Sequence, residues 1–278
     1  MKKILITGKN SYIGTNVERY LAERSYQVDT VDMRGNAWRE YDFSSYDAVF
    51  HVAGIAHADV EKVSEEEKKR YYDVNCRLAV ETAKKAKKQG VGLFLYMSSI
   101  IVYGESGGIG EKRVITKDTP LTPAGFYGDS KVKAEEGLKP LADGDFKVAI
   151  LRPPMIYGEG CKGNYRTLEK IAKVMPFFPA IENERSVLSI ENLAKAVKQI
   201  IEEPESGIYF PQDHEYGHTS GMVQDIAAGR GKKVRLTKLF NPLVKGMGRT
   251  KGKYGKLVNK AFGNLCYDKE LKVEKWNP

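Results

Sequence analysis

The start of the chain constrains it most: a short apolar run, Ile4–Thr7, passes through a glycine-bearing loop straight into a helical pattern, Tyr12–Arg24. Ile13, Val17, Tyr20 and Leu21 recur at helical spacing on one face of that pattern. A strand that feeds a helix through so few residues needs small side chains in the turn. It also aims unpaired helix N–H groups at one point, which makes an anion site. In Thr7-Gly8-Lys9-Asn10-Ser11-Tyr12-Ile13-Gly14, Gly8 and Gly14 stand at the ends of such a loop, and Ser11 stands where a middle glycine is customary. Serine is small and can itself donate to phosphate; the same residues would also serve a simple helix cap.

The rest of the first half repeats this alternation. Strands are expected at Val28–Asp32, Ala48–Ala53, Leu93–Ser98 and Lys147–Leu151, with a long charged helix Glu65–Gln89 and another, Phe126–Lys139, between them. Strands alternating with helices read as βαβ units around a parallel sheet. Past Pro153 the pattern loosens, with glycines at Gly158, Gly160 and Gly163 and prolines at Pro176 and Pro179. Glu191–Glu202 reads as a helix, Gly207–Phe210 as a strand returning to the sheet, and Thr219–Gly229 as a further helix. The expected architecture is therefore α/β, a doubly wound parallel sheet with a smaller, interleaved C-terminal lobe. Residues 1–158 would form the sheet domain, 191–211 would return to it, and 159–190 with 212–278 would form the lobe.

Asp32 closes the second strand about 20 residues beyond the loop, where a carboxylate can hold the hydroxyls of an adenosine ribose. An acid there repels a 2′-phosphate and favours NAD; Arg34, two residues on, could pair with that phosphate and admit NADP. Farther along, Met97-Ser98-Ser99 follows a buried strand, and Tyr127-Gly128-Asp129-Ser130-Lys131 opens a helix. Spacing of four puts Tyr127 and Lys131 on one helical face. A tyrosine near pKa 10 is a weak base at neutral pH, so the lysine ammonium and a cationic nicotinamide are expected to favour its phenolate. Ser99 could hydrogen-bond the substrate oxygen.

Together these residues resemble the extended short-chain dehydrogenases/reductases, specifically the NAD-dependent epimerase/dehydratase family. The likeness covers nearly the whole chain: the glycine loop, Asp32, Asp42-Phe43, His51-Val52-Ala53-Gly54, Asn75, Ser98–Gly104, Tyr127–Lys131 and Leu151–Gly158, in the family's order. It implies a Rossmann-type sheet, catalysis by Ser99, Tyr127 and Lys131, and an NAD site built on Gly8, Ser11, Tyr12, Ile13, Gly14 and Asp32, with Lys131 also touching the cofactor. Asp42 and Phe43 would flank the adenine, Ala53 and Gly54 would line the cofactor, and Pro153 and Met155 would border the nicotinamide. The substrate implied is a sugar on a nucleoside diphosphate, met by Ser99, by Asn164 and by Arg185, the last as the arginine that grips the diphosphate. Arg185 could instead pair with Glu182 or Glu184. Sugar 4,6-dehydratases of this family carry an Asp-Glu pair after the serine or threonine; Ile100 and Ile101 stand there, and neither can move a proton. A 4-epimerase of a UDP- or dTDP-hexose is expected, with a 4-ketoreductase and a catalytically idle NAD-binding protein as alternatives.

Composition excludes other classes. The three cysteines, Cys76, Cys161 and Cys266, form no CxxC pair, and no histidine cluster offers a metal site. His51 reads as a buried strand residue, His57 as a neighbour of cofactor or substrate, and His214 and His218 as loop residues. No apolar run is long enough to cross a bilayer, and Met1–Gly8 reads as a buried first strand rather than a signal peptide, so a cytoplasmic protein without an integral membrane segment is expected. The net charge of +9 is concentrated toward Lys232–Lys275. It suits an anionic substrate; no nucleic-acid motif accompanies it. Residues 240–262, apolar and lysine-rich together, read either as part of the lobe covering the substrate or as a membrane-surface helix. Tyr71, Val74 and Leu78 on the 65–89 helix, with the 126–139 helix, suggest a homodimer interface.

Overall fold

A computed structural model describes residues 1–55 and 64–276; His57 lies outside the described residues. Seven strands form the central sheet in the order β13-β10-β6-β4-β3-β1-β2: β1 Lys3–Thr7, β2 Gln27–Val31, β3 Ala48–His51, β4 Leu93–Met97, β6 Lys147–Leu151, β10 Gly207–Tyr209 and β13 Val273–Lys275. All neighbours run parallel except β10 and β13. The apolar strands alternate between two covered faces, as the two-residue side-chain period of a strand requires. Ile4, Ile6, Phe50, Leu95 and Leu151 point to one face, where they meet α1 (Tyr12–Ala22) through Val17 and Leu21 and α6 (Ile190–Glu202) through Leu193 and Val197. Leu5, Val49, Phe94 and Val148 point to the other, where they meet α3 (Leu78–Lys88) through Ala79 and Ala83 and α4 (Gly125–Leu138) through Val132 and Leu138.

The expected helix Glu65–Gln89 is not uniform. It comprises α2 (Glu65–Tyr72), a π-helical turn at Asp73–Arg77, and α3. A wide turn of this kind re-aims one side chain, here Asn75, which is fully buried. Its amide accepts from the Ile55 N–H at 2.8 Å and donates to the Ile55 carbonyl and the Ser130 hydroxyl, tying the chain beyond β3 to α4. The proposed dimer face fares differently from expectation, because Tyr71 and Leu78 turn inward. Tyr71 is buried with its ring edge-on to Phe126 at 4.7 Å, and Leu78 packs on the core.

The second lobe has its own core. α5 (Asn164–Val174) and α7 (Thr219–Ala228) pack together through Leu168, Ala172, Val223 and Ala227. α8 (Asn241–Gly248) and α9 (Lys253–Phe262) close it with Val244, Val258 and Phe262. Two-stranded pairs stitch the lobe together and to the sheet domain: β5 (Val114–Ile115) with β12 (Cys266–Tyr267), β7 (Met155–Tyr157) with β9 (Val187–Ser189), and β8 (Phe177–Pro179) with β11 (Arg235–Thr237). One boundary needs correction. The final strand Val273–Lys275 belongs to the sheet, beside β10, rather than to the lobe to which 212–278 was assigned.

Candidate active site

The phosphate loop turns at the C-terminal edge of the sheet. Gly8 has φ +91°, a left-handed conformation, and a Cβ there would sit 3.0 Å from the Ala53 backbone nitrogen. Only glycine fits, because the loop lies directly on the chain leaving β3. Gly14 is equally crowded, with a Cβ position 2.6 Å from the Ser11 hydroxyl. Ser11 is the N-cap of α1 and accepts from the Gly14 N–H at 3.1 Å. Capping uses only an acceptor lone pair, so the hydroxyl hydrogen remains for a phosphate oxygen. Tyr12 and Ile13 follow in the first helical turn, and the buried Tyr12 hydroxyl faces the glycines at 158 and 160 beside Cys161. This backbone cradle, open at a helix N-terminus, fits a dinucleotide diphosphate.

Asp32, just past β2, is engaged by its neighbour. Its carboxylate accepts from the Arg34 backbone N–H at 3.0 Å and from the guanidinium at 2.5 and 3.0 Å, which holds it down at about 2. Asp42 accepts from the Ser44 amide and hydroxyl and is lowered by both. Phe43 is completely buried in the core, so its ring cannot lie against an adenine. The expectation for its side chain is corrected to a packing role, fixed by the Gln89 amide oxygen accepting from its N–H.

The structure brings Ser99, Tyr127 and Lys131 together where β4 ends against α4. Ser99 opens a short 3₁₀ turn, Ile100–Tyr103, and its hydroxyl accepts from the Ile101 N–H at 3.3 Å. The same hydroxyl reaches Tyr127 and favours its ionised form. Burial outweighs that contact and pushes the half-buried Tyr127 up to about 12, the opposite of the expected direction. Lys131 does not offset it. Its ammonium donates to the Met97 carbonyl at 2.7 Å and lies 4.7 Å from the Tyr96 ring centre. Burial lowers Lys131 to about 8, with Glu135 opposing the shift. A Cβ on Gly54 would come 3.5 Å from this ammonium, so the chain leaving β3 and the lysine share one wall. Pro153 is buried and its carbonyl accepts from the Ile100 N–H at 2.9 Å; Met155, half-buried, begins β7 next to it.

Behind these residues lies a cluster that the motifs did not reveal. Glu135, one turn beyond Lys131, and Arg152, at the end of β6, form an ion pair at 2.5 Å with side chains 1% and 3% exposed. Glu135 also accepts from the Ser98 hydroxyl at 2.5 Å, and Arg152 donates to the Tyr103 hydroxyl at 2.6 Å. The signal was present as the i, i+4, i+8 series Tyr127, Lys131, Glu135.

In the second lobe, Asn164 is the first residue of α5, and Arg185 is held by backbone bonds to Gly217 at 3.1 and 2.8 Å. The Arg185 guanidinium makes no ion pair with Glu182 or Glu184, and burial lowers its pKa. His51 is fully buried, with Nδ1 2.9 Å from the Thr7 hydroxyl, and desolvation lowers it to about 3. It is a structural histidine.

A glycine-cradled loop at the carboxyl edge of a doubly wound sheet, with serine, tyrosine and lysine converging beside it, defines an extended short-chain dehydrogenase/reductase fold that binds a nicotinamide dinucleotide. Residues 4–210 match the NAD dependent epimerase/dehydratase family, and the chain belongs to it. It is 30% identical over 254 residues to a UDP-glucose 4-epimerase of Vibrio cholerae, covering 83% of this chain and 76% of that one. A 4-epimerase of N-acetyl-α-D-glucosaminyl-diphospho-ditrans,octacis-undecaprenol from Escherichia coli O157:H7 is 26% identical over 262 residues, covering 86% and 76%. Among solved structures, a dTDP-4-dehydrorhamnose reductase from Clostridium acetobutylicum superposes with a TM-score of 0.66 at 20% identity over 94% of this chain and 98% of that one. That likeness is one of fold. No described helix is long and apolar enough to cross a membrane.

Proposed function

We propose that the chain is a 4-epimerase of a hexose joined to UDP or dTDP, acting in the cytoplasm through a 4-keto intermediate. The observation that carries this reading is the makeup of the reaction edge. Tyr127 and Ser99 meet there with Lys131, while the next two residues, Ile100 and Ile101, are aliphatic. Such an edge can move one proton at one oxygen and offers no second acid–base pair for eliminating water.

NAD supplies reversible hydride acceptance when bound. Tyr127, in the ionised form that Ser99 and a bound nicotinamide cation would favour, takes the proton of the sugar C4 hydroxyl as that carbon is oxidised, and returns it when the ketone is reduced on its other face. Ser99 hydrogen-bonds the same oxygen and keeps it in line. Lys131, anchored on the Met97 carbonyl, keeps a positive charge beneath the tyrosine. Arg185 and Asn164 hold the diphosphate side of the substrate; a guanidinium with no acidic partner among the described residues suits two phosphates. The names of the two epimerase relatives share this chemistry, a sugar on a diphosphate. The Asp32–Arg34 pair favours a second reading, a ketoreductase, because an acid already neutralised by arginine repels a 2′-phosphate less.

Incubation with a panel of UDP- and dTDP-sugars, followed by NMR, tests the assignment. C4 epimers should interconvert without added reductant, free hexoses should react poorly, and Arg185→Ala should raise KM by about 30- to 150-fold, as for loss of a charged hydrogen bond. Equal turnover of free and nucleotide-linked sugar refutes the substrate class; stoichiometric consumption of NADPH on a 4-keto sugar nucleotide, without interconversion of C4 epimers, selects the reductase. A homodimer is proposed through the helices of residues 65–89 and 126–139, and sedimentation giving a monomer at micromolar concentration would contradict it.

A further inference from the structure

Residues 226–267 contain eleven lysines and arginines and no aspartate or glutamate, so the remainder of the chain, against a total of +9, carries 9 − 11 = −2. The whole excess of positive charge therefore sits on β11, α8, α9 and their connections. Eight of the eleven exposed large apolar side chains among the described residues lie on the same lobe, between Val174 and Leu257. Leu239 is 80% exposed, Leu243 65%, Tyr254 70% and Leu257 60%.

These side chains are not unused core. The inner faces of α8 and α9 are already committed through Val244, Val258, Ala261 and Phe262. Tyr254 and Leu257, three residues apart on α9, share an outward face, while Leu239, in the short turn Lys238–Phe240 before α8, and Leu243 on α8 are both exposed beside it. Parallel pairing of β8 with β11 sets Phe177, 47% exposed, opposite Arg235 and continues the surface toward residue 174. Lys238, Lys245, Arg249, Lys251 and Lys256 are interspersed, exposed, and form no ion pair among the described residues.

We propose that this outer surface of the second lobe docks on a lipid bilayer with anionic headgroups. Charge complementarity selects the occupant together with the apolar groups. Cations alone would suit a nucleic-acid backbone, which leaves exposed leucines wet. A bilayer interface takes both, with lysines at the phosphates and leucines and tyrosine at the acyl boundary. The inference goes beyond the catalytic assignment and is read by binding, so its failure and that of the epimerase reading are separable.

The whole protein is sedimented with vesicles of phosphatidylcholine alone, or with roughly a third phosphatidylglycerol. Binding should require the anionic lipid and weaken as salt is raised. Lys245→Gln/Arg249→Gln/Lys251→Gln should weaken it by about a hundredfold, from the loss of three interfacial charges. Leu239→Ser/Leu243→Ser should weaken it by about tenfold or more. Both variants alter exposed side chains, so unchanged thermal melting confirms that each is folded. Absence of binding to anionic vesicles overturns the proposal. So does full binding by the leucine variant, which would mean nonspecific adhesion of a basic protein, or tighter binding to duplex DNA than to vesicles.

Discussion

Replacing Glu135 by glutamine tests whether the buried pair behind the active site does what its geometry implies. The change preserves volume and keeps an acceptor for the Ser98 hydroxyl, but it leaves the Arg152 guanidinium charged among buried groups. Removing one partner of such a pair costs about 3–5 kcal/mol, because the remaining charge has lost its compensation. At roughly 2–4 °C per kcal/mol for a domain near this size, melting should fall by about 6–20 °C. Arg152→Met alone should cost a similar amount, by stranding the carboxylate. The double variant should recover much of the loss, since a buried pair replaced together is often close to neutral. Urea denaturation of the four proteins completes the cycle, with a coupling energy expected above about 2 kcal/mol. Single variants that cost under about 1 kcal/mol, or costs that simply add, would refute the view that these charges depend on each other.

Tyr127→Phe should abolish turnover while leaving NAD affinity within a few-fold, measured by calorimetry beside the NMR assay; retained turnover would remove the proposed proton transfer. Asp32→Ala should narrow the preference for NAD over NADP, and titrations of the two cofactors that fail to change would show that Arg34 had already silenced the acid. Lys131 gives a pH dependence with a definite sign. Folding lowers its pKa from 10.5 to about 8, so the unfolded chain binds more protons between those values. Its burial opposes folding most fully below about pH 8, and that penalty fades as pH rises toward 10.5. Stability of Lys131→Met relative to the parent should therefore be highest at neutral pH and decline across that window. The parent's kcat/KM should fall on the alkaline side with an apparent pKa near 8.

The sheet was legible because its strands are apolar on both faces and its helices show a clean stripe; Ile4–Leu5–Ile6 needs no other explanation. β13 was not, since Val273–Lys275 is short, exposed and charged, and its place depends on pairing with β10 far earlier in the chain. The π turn was hidden for a related reason: Asn75 carries the only local hint, and its partners Ile55 and Ser130 are both 20 or more residues away. The loop glycines could be read individually, because Gly8 answers to sterics that the sequence exposes. Phe43 could not, because an aromatic beside an acid looks the same whether its ring faces a ligand or the core.

Tyr127 shows most clearly where spacing stops being informative. Four residues put a lysine on the tyrosine's helical face, yet spacing is silent about solvent, and solvent decides the direction of the shift. The same desolvation drives Tyr127 up and Lys131 down, each toward its neutral form. A proton relay needs the reverse, a charged lysine and a tyrosine able to lose its proton. Within the protein, Glu135 opposes the lysine's shift and Ser99 the tyrosine's. Glu135 can do so at close range only because Arg152 and Ser98 make a buried carboxylate tolerable there. The ion pair therefore belongs to the site as well as to the core. A position effect confined to stability would leave the alkaline limb of kcat/KM unchanged in Glu135→Gln, measured at a temperature where the variant is folded. A positioning role moves that limb to lower pH, because the ammonium has lost the carboxylate that favours it.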